Sequence, residues 1–328
     1  MIHVLRPGLL TTVQDQGRPG CQRFGVAAGG AADPFAARMA NALVGNEAKA
    51  ALLEMALAGP QLRFDEDALV AWCGAEFDAT LDGQPLPKNR PVRVPAGGTL
   101  DFSQARQGVM AWLAAAGGIA VPEVLGSRST YLAARFGGLE GRRLVAGDAL
   151  SPGPASSWAQ GMLKLLRVPG QTAAWSVPPN YFGTPPLPGT LRAMRGPEWD
   201  WFSPDAHAAL FQRVFRVSKD SNRMGVRLNG PPLLLAAPRE MISAAVQHGV
   251  VQVPPSGQPI LLGADRQTIG GYPRLAAVAT VDFAGLAQLR PGDAVRFSEL
   301  TVADAHALLL ERERDVAMAA ANLATPRL

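Results

Sequence analysis

Four short polar segments hold the side chains of this sequence that could do chemistry. In the first, residues 11–20, glycines and a proline fix a tight turn around Asp15 and Arg18. The two side chains could pair with each other, or Arg18 could offer its planar guanidinium group to a carboxylate or a phosphate. Both interpretations stay open at this stage: an ion pair that stabilises the turn, or a site for an anion.

The second segment, residues 126–131, and the fourth, residues 265–272, combine hydroxyl, guanidinium and phenol groups. Such a set can bind an oxyanion through arginine and hydroxyl donors while an aspartate acts as a base or orients a water molecule. The alternative is that the hydroxyls only satisfy backbone groups at strand ends. The candidate residues are Ser127, Arg128, Thr130, Tyr131, Asp265, Arg266, Gln267, Thr268 and Tyr272.

The third segment, residues 218–227, is a polar turn that leads into a predicted strand. Its candidates for chemistry are Lys219, Ser221 and Arg223. The alternative interpretation is a charged loop that is simply solvated.

No metal or nucleotide signature accompanies these segments. The four histidines, His3, His207, His248 and His306, stand far apart, without the spacing of metal ligands, so we expect no metal site. The common phosphate-loop, dinucleotide and hydrolase-elbow motifs are absent from the sequence. No lysine lies between two methionines, so we expect no biotin to be attached covalently to this chain.

The elements that must position these groups are mostly strands. Apolar or alternating runs of four to eight residues lie between glycine, proline and aspartate turns, which is typical of β-structure. Helices are fewer: we expect one from Pro34, capped by Asp33, one from Ser203-Pro204, and one over residues 302–323. Examples of predicted strands are residues 91–102, 110–116 and 277–283.

Short strings recur in the same order in the two halves of the sequence, which indicates an internal duplication. The shared order carries this inference, because each string alone is weak. The first half carries about 35 extra residues between its second and third strings. The strings are 59–62, 83–86, 125–131 and 146–150 in the first half, and 230–233, 257–260, 262–268 and 291–295 in the second.

We therefore predict a mainly β protein with few helices, built from two tandem β-barrel domains. The predicted domains are residues 1–155 and residues 191–328, the second ending in a helix. A proline-rich stretch, residues 156–190, is predicted to link them.

Composition narrows the function classes. The chain has 328 residues, of which 48% are apolar and 18% charged, so it is long enough for one large or two moderate cores. The formal net charge of +4 comes from scattered arginines rather than a basic stripe, so we expect no nucleic-acid partner. We find no transmembrane stretch and no signal peptide, and we expect a cytoplasmic protein without membrane contacts.

Several longer strings together resemble one family. Residues 12–18, 41–46, 126–131, 221–225 and 265–272, with Pro291-Gly292-Asp293, follow in order the pattern of the biotin-dependent carboxyltransferase or allophanate hydrolase subunit 2 family. The resemblance runs through nearly the whole chain. One departure is Glu198, where the family usually has glutamine.

The resemblance implies a tandem cyclophilin-like β-barrel fold and a place in an ATP-dependent 5-oxoprolinase complex. Such a complex hydrolyses the lactam of 5-oxo-L-proline to L-glutamate. The implied cofactor is ATP, with the identity of the ATP-binding chain left open. The implied partners are a KipI-like protein and a LamB/YcsF-like protein, and the chain is expected to be active only together with them.

For this reaction the sequence suggests specific roles. Arg128, Arg223 and Arg266 are expected to bind anionic groups, and Asp265 or Asp15 to act as acid or base. Lys219 is a further catalytic candidate, in a supporting role. Contacts to the substrate or to anions are expected from the remaining candidates: Arg18, Ser127, Thr130, Tyr131, Ser221, Gln267, Thr268 and Tyr272.

Two alternatives remain. The chain could be the carboxyltransferase part of a urea-processing enzyme and move a carboxyl group from carboxybiotin to a small amide. It could instead be a regulatory antagonist that binds a KipI-like kinase inhibitor and catalyses nothing itself.

Overall fold

A computed structural model describes residues 1–168, 170–178 and 189–323. Within these residues most of the regular structure is β, which confirms the predicted fold class. The strands are β1 (Ile2–Arg6), β2 (Leu10–Gln14), β3 (Leu52–Ala56), β4 (Gln61–Phe64), β5 (Ala68–Leu81), β6 (Gln84–Pro85), β7 (Val92–Val94), β8 (Thr99–Ala115), β9 (Ala149–Leu150), β10 (Thr190–Arg195), β11 (Phe215–Val217), β12 (Gly225–Asn229), β13 (Ala244–Ala245), β14 (Val250–Gln252), β15 (Ile260–Leu262), β16 (Ile269–Gly270), β17 (Arg274–Val278) and β18 (Ala294–Glu299).

The helices begin where the capping residues predict. Oδ1 of Asp33 accepts hydrogen bonds from backbone N–H groups in the first turn of the helix that begins at Pro34, at 2.9 and 3.1 Å, and Oγ of Ser203 caps the helix that begins at Pro204 in the same way. None of the helices in the described part of the chain combines the length and the hydropathy needed to cross a bilayer. The helices are α1 (Pro34–Leu43), α2 (Ser157–Leu165), α3 (Pro204–Gln212), α4 (Phe283–Ala287) and α5 (Val302–Leu323).

The described residues divide into two compact units. The first contains residues 1–18, 33–178 and 314–323, and the second contains residues 19–32 and 189–313. The predicted domain boundaries did not include this exchange of short segments.

The first unit contains a nine-stranded sheet built around two long strands. β8 pairs antiparallel with β3, β4 and β5, and β5 also pairs with β6 and β7. The buried faces of these strands meet in one core, in which Trp72 packs edge-on against Phe102 with ring centroids 5.2 Å apart. Aromatic pairs of this geometry add about 1 kcal/mol beyond the apolar area that they bury.

The second unit contains a closed seven-stranded barrel in the order β10-β17-β14-β15-β12-β11-β18. Alternation along its strands fills the interior: in β11, Phe215 and Val217 are buried, whereas Arg216 between them is exposed. Closure removes the unpaired edges that an open sheet would present. The turns at the barrel rim carry most of the polar residues singled out in the second half of the sequence.

The predicted linker, residues 156–190, contains helix α2, which the sequence analysis did not predict. Oγ of Ser156 caps α2 by accepting a hydrogen bond from the N–H of Ala159, and Ala159 and Met162 are buried on one face. Further along the stretch, Thr172 forms an isolated β-bridge with Val92 of β7 in the first unit. Pro169 and residues 179–188 of this stretch lie outside the described residues.

The internal repeat is visible in the geometry of one turn. Gly147 and Gly292 both adopt a φ of +92°, a backbone conformation that favours glycine. The next residue in each half is an aspartate whose Oδ2 accepts a hydrogen bond from the N–H three positions earlier, at 2.8 Å for Asp148 and 2.7 Å for Asp293. Each turn leads directly into a strand, β9 in the first unit and β18 in the second.

Candidate functional site

In the first unit the polar residues gather around the carboxylate of Asp15, which is 7% exposed. Its Oδ1 accepts hydrogen bonds from Oγ of Ser127 and Oγ of Ser129, each at 2.6 Å, and from the N–H of Gly17 at 2.7 Å. Its Oδ2 accepts from the N–H of Arg128 at 2.6 Å. Three of these four donors join the turn at residues 15–18 to residues 127–129, and the fourth closes the turn itself. We call this network the Asp15 centre.

The two arginines of this region contact backbone carbonyl groups. Arg18 is 1% exposed, donates from Nη2 to the carbonyl oxygen of Ser129, and lies over the ring of Phe136, 5.0 Å from its centroid. Arg128 donates from Nε to the carbonyl oxygen of Val121 at 2.9 Å and forms an ion pair with Glu123 at 2.7 Å. The predicted anion-binding roles of both arginines stay predictions.

The neighbouring hydroxyl and phenol groups also have partners within the first unit. Oγ1 of Thr130 donates to the carbonyl oxygen of Val13 at 2.9 Å, and Tyr131 packs edge-on against Phe136. The hydrogen bond of Thr130 matches the alternative interpretation of the sequence, in which hydroxyls satisfy backbone groups at strand ends.

In the second unit the central feature is a buried ion pair between Arg223 and Asp265, whose side chains are 6% and 5% exposed. Nε and Nη2 of Arg223 donate to the two carboxylate oxygens at 2.8 and 3.0 Å, which is the bidentate geometry typical of arginine. Nη2 also donates to the carbonyl oxygen of Gly30 at 2.7 Å. The carboxylate of Asp265, predicted from the sequence to act as an acid or base, is thus paired with the guanidinium group of Arg223.

The next residue, Arg266, is buried without a comparable partner. It is 7% exposed, and its Nη1 has only two weak contacts, to the carbonyl oxygens of Gly263 and Ala264, each at 3.4 Å. Among the described residues its Nε has no hydrogen-bond acceptor. Burial lowers the pKa of Arg266, and the charge of Asp265 offsets part of that effect. A buried cation in this state is suited to receive an anion.

His248 is the neutral neighbour of these charges. Burial, together with the positive charges of Arg266 and Arg223, lowers the pKa of His248 to about 3. Its ring stacks on Phe283 with centroids 3.9 Å apart. At neutral pH the cluster of Arg223, Asp265, Arg266 and His248 therefore carries one net positive charge. We call this cluster the Arg266 centre.

A chain of amides continues from the Arg266 centre along the barrel rim. Nε2 of Gln267 donates to Oε1 of Gln252 at 3.2 Å, and Nε2 of Gln252 donates to the carbonyl oxygen of Tyr272 at 3.0 Å. Gln252 is 1% exposed and was missed by the sequence analysis, as was His248. Gln252 could have been found as the one polar residue inside the apolar run 250–253.

The remaining candidates of the second unit lie in exposed or self-satisfied positions. Lys219 is exposed, and Oγ of Ser221 donates to the carbonyl oxygen of Ser218 at 2.8 Å within the same loop. Thr268 accepts a hydrogen bond from Val246 through its backbone carbonyl, and Tyr272 is 43% exposed. The structure therefore brings Arg223, Asp265, Arg266 and Gln267 together, but it does not add Lys219 to them.

Glu198, the position that departs from the family pattern, forms an ion pair with Arg274. Nε and Nη2 of Arg274 donate to its carboxylate oxygens at 2.8 and 2.6 Å, and the pKa of Glu198 is lowered by these hydrogen bonds. The pair joins the turn at Glu198 to β17. No group of three histidine, cysteine or acidic residues suited to hold a metal ion occurs among the described residues.

The described residues form a mainly β protein with a closed barrel, and the turn after β15 carries Arg266, a buried cation whose Nη1 has only long hydrogen bonds. The chain belongs to the family described as carboxyltransferase domain, subdomain A and B, whose model matches residues 24–299. The match includes the whole Arg266 centre. Asp15 and Arg18 lie before it.

Two curated relatives are similar over almost their full length. The chain is 39% identical to the C subunit of 5-oxoprolinase from Escherichia coli strain K12, over 93% of each chain. It is 36% identical to the corresponding C subunit from Haemophilus influenzae, over 95% of this chain and 96% of the relative. Among solved structures, the urea amidolyase of K. lactis matches all of this chain and 20% of its own, with a TM-score of 0.86 and 30% identity.

Proposed function

We propose that this chain belongs to an ATP-dependent 5-oxoprolinase complex, which opens the lactam of 5-oxo-L-proline to L-glutamate. The observation that carries the proposal is the similarity to the C subunit of 5-oxoprolinase, at 39% identity over 93% of both chains. The proposed partners are a KipI-like protein and a LamB/YcsF-like protein. Because the reaction consumes ATP, we place the complex in the cytoplasm.

The chemistry of the reaction fits the charges of the second unit. A lactam is a stabilised amide, and transfer of a phosphoryl group to its oxygen would create a leaving group and a carbon that water can attack. The substrate also carries a carboxylate that must be held while its ring reacts. Buried guanidinium groups bind such anions strongly because the surrounding dielectric constant is low. Arg266 is the residue of this chain best placed for that task.

Asp265 has a supporting role in this proposal. Its bidentate bond to Arg223 fixes the turn that carries Arg266, and its charge balances that of Arg223. The acid or base of the reaction is then expected from another group of the complex, unless substrate binding separates Arg223 from Asp265.

The test measures ATP hydrolysis dependent on 5-oxoproline, together with glutamate release, for this chain alone, for its partners without it, and for the mixture. Activity in the mixture only is the expected result. The Arg266→Gln variant should lower kcat/KM of the mixture at least tenfold. The matched control is Arg227→Gln, because Arg227 is exposed on β12 of the same barrel. Activity of the partners that is unaffected by this chain would refute the proposal.

Carboxyl transfer is the second candidate, because the whole chain matches a part of the K. lactis urea amidolyase structure. In that case the protein would accept a carboxyl group from biotin held by another protein and pass it to a small amide. The experiment supplies a carboxylated biotin carrier and urea in place of ATP and 5-oxoproline. Transfer of labelled carboxyl groups with these substrates, and no lactam opening, would favour this function.

A further inference from the structure

We propose that Arg266 binds the carboxylate of a substrate with a single negative charge, so that this chain holds the amide substrate and not the nucleotide. The inference rests on the proposed function for the identity of the substrate, 5-oxo-L-proline. It goes beyond that function because it assigns one ligand to this chain and one residue to one group of the ligand. Three properties of the site support it: hydrogen bonding, charge and the neighbouring amide.

The hydrogen bonding of Arg266 is incomplete in a way that a carboxylate would complete. Arg266 is 7% exposed, its Nη1 contacts are long at 3.4 Å, and its Nε lacks an acceptor among the described residues. Leaving a buried donor unsatisfied is costly, and a planar guanidinium group matches the two oxygens of a carboxylate. Asp265 cannot serve, because Arg223 occupies both of its oxygens.

The charge of the Arg266 centre selects for one negative charge. Arg223 and Asp265 cancel each other, and His248 is neutral above its pKa of about 3. The one uncompensated charge belongs to Arg266. A monocarboxylate neutralises the charge of Arg266. A nucleoside triphosphate would bring excess negative charge into a buried site, at a large cost in desolvation free energy.

The neighbouring amide fits the lactam ring. Nε2 of Gln267 is engaged with Oε1 of Gln252, which itself is fixed by its bond to the carbonyl oxygen of Tyr272. The amide of Gln267 is thereby oriented, and its carbonyl oxygen is the group left to accept a hydrogen bond. A lactam offers one N–H donor. Gln267 is therefore a positioning residue for the ring, beside the arginine that takes the carboxylate.

The experiment measures binding to the full chain by calorimetry, with four probes: 5-oxo-L-proline, 2-pyrrolidone, inorganic phosphate and ATP. 2-Pyrrolidone has the same lactam ring without the carboxylate. We expect it to bind roughly ten- to hundredfold more weakly than 5-oxoproline, the range given by the loss of charge-assisted hydrogen bonds. In Arg266→Gln this difference should disappear. In Arg227→Gln it should be kept.

The thermal stability of the unliganded chain separates a binding role from a structural one. Arg266→Met replaces an incompletely satisfied buried cation by an apolar side chain of similar length, so Tm should stay the same or rise. Arg266→Lys keeps the charge without the planar fork and should bind 5-oxoproline with intermediate affinity. A clear fall in Tm for both variants would show that Arg266 is structural and would overturn the inference.

The remaining outcomes keep this inference apart from the proposed function. Phosphate or ATP binding that is lost in Arg266→Gln would overturn the assignment of a monocarboxylate. Turnover by the assembled complex with an unchanged KM for 5-oxoproline in Arg266→Gln would also overturn it, while the proposed function would stand. Binding of 5-oxoproline through Arg266, without turnover in any mixture of the proteins, would support the inference and refute the proposed function.

Discussion

Residues 127–130 and 264–267 occupy equivalent places in the two halves of the repeat. The buried polar side chains around these two segments differ in how completely they are hydrogen-bonded. In the first half, the carboxylate of Asp15 receives four hydrogen bonds from hydroxyl and backbone donors. In the second half, the carboxylate of Asp265 is paired with the guanidinium group of Arg223. The guanidinium group of the next residue, Arg266, has only long contacts. Ser129 and Arg266 are the equivalent positions.

This difference in hydrogen bonding is the reason for assigning the proposed binding role to the second half. A polar network in which every donor and acceptor is paired stabilises a loop and has no hydrogen-bonding group free for a ligand. A buried group with unused hydrogen-bonding capacity destabilises the free protein, and a ligand can supply the missing hydrogen bonds. On this comparison we propose a structural role for the Asp15 centre and a binding role for the Arg266 centre. The predictions below test that division, beginning with the largest expected effect.

Asp265→Ala should give the largest loss of stability. It leaves the guanidinium group of Arg223 without its carboxylate, next to a second buried cation, and should lower the free energy of unfolding by about 4 kcal/mol. Urea denaturation followed by fluorescence measures the change. The double variant Arg223→Met with Asp265→Ala should recover at least half of the loss. A loss below about 1 kcal/mol would mean that the pair does not support the turn.

Asp15→Asn should cost about 3 kcal/mol of unfolding free energy, because an amide cannot accept from donors on both sides of the carboxylate. The same denaturation measurement applies, with Asp220→Asn as the control, because Asp220 is exposed in a loop. Turnover per folded molecule should be unchanged. Normal stability together with abolished turnover would reverse the division and make the Asp15 centre functional.

The pH dependence of stability should carry a contribution from His248. Its pKa is about 3 in the folded chain and near 6.5 when unfolded, so between these values the unfolded state binds more protons. Stability is therefore lost as the pH falls from about 6.5 towards 3. The charges that face the ring and cause the shift are Arg266 and Arg223.

His248→Gln isolates this contribution from that of the carboxylates. Between pH 7 and pH 5 the variant should lose about 1–2 kcal/mol less stability than the natural chain. Thermal or urea unfolding at matched pH values measures the difference. Identical slopes for the two proteins would show that folding does not lower the pKa of His248.

The smallest expected effect compares the two equivalent turns. Both Asp148 and Asp293 accept a backbone hydrogen bond, but Asp148 also binds Arg142 through both oxygens at 2.8 Å, and that bond lowers the pKa of Asp148. Asp148→Asn should cost about 1.5 kcal/mol and Asp293→Asn about 0.5 kcal/mol. Equal losses would show that the arginine adds nothing to the turn.

The features predicted correctly from sequence depend on local chemistry. Asp33 before Pro34 and Ser203 before Pro204 start helices through hydrogen bonds within the first turn, and the glycine–aspartate turns keep their conformation in both halves. Helix α2 was missed because surrounding prolines concealed a nine-residue segment that becomes stable only when one face is buried.

The candidate site was predicted in part for a related reason. The sequence singled out Arg223, Asp265, Arg266 and Gln267 because they lie in polar turns. The sequence did not show that Asp265 pairs with Arg223 and not with Arg266, because this pairing depends on contacts between residues 42 positions apart. Gln252 and His248 lie in other segments, and the folded barrel alone brings their amide and ring into the same cluster.

The exchange of short segments between the units affects how the chain can be made. During translation, residues 19–32 are synthesised long before the rest of the second unit. Residues 314–323 are synthesised after the other described residues of the first unit. The first unit is therefore complete only after residues 189–313 of the second unit have been synthesised. A gene split at the repeat boundary would yield two polypeptides that each lack a segment of their own unit.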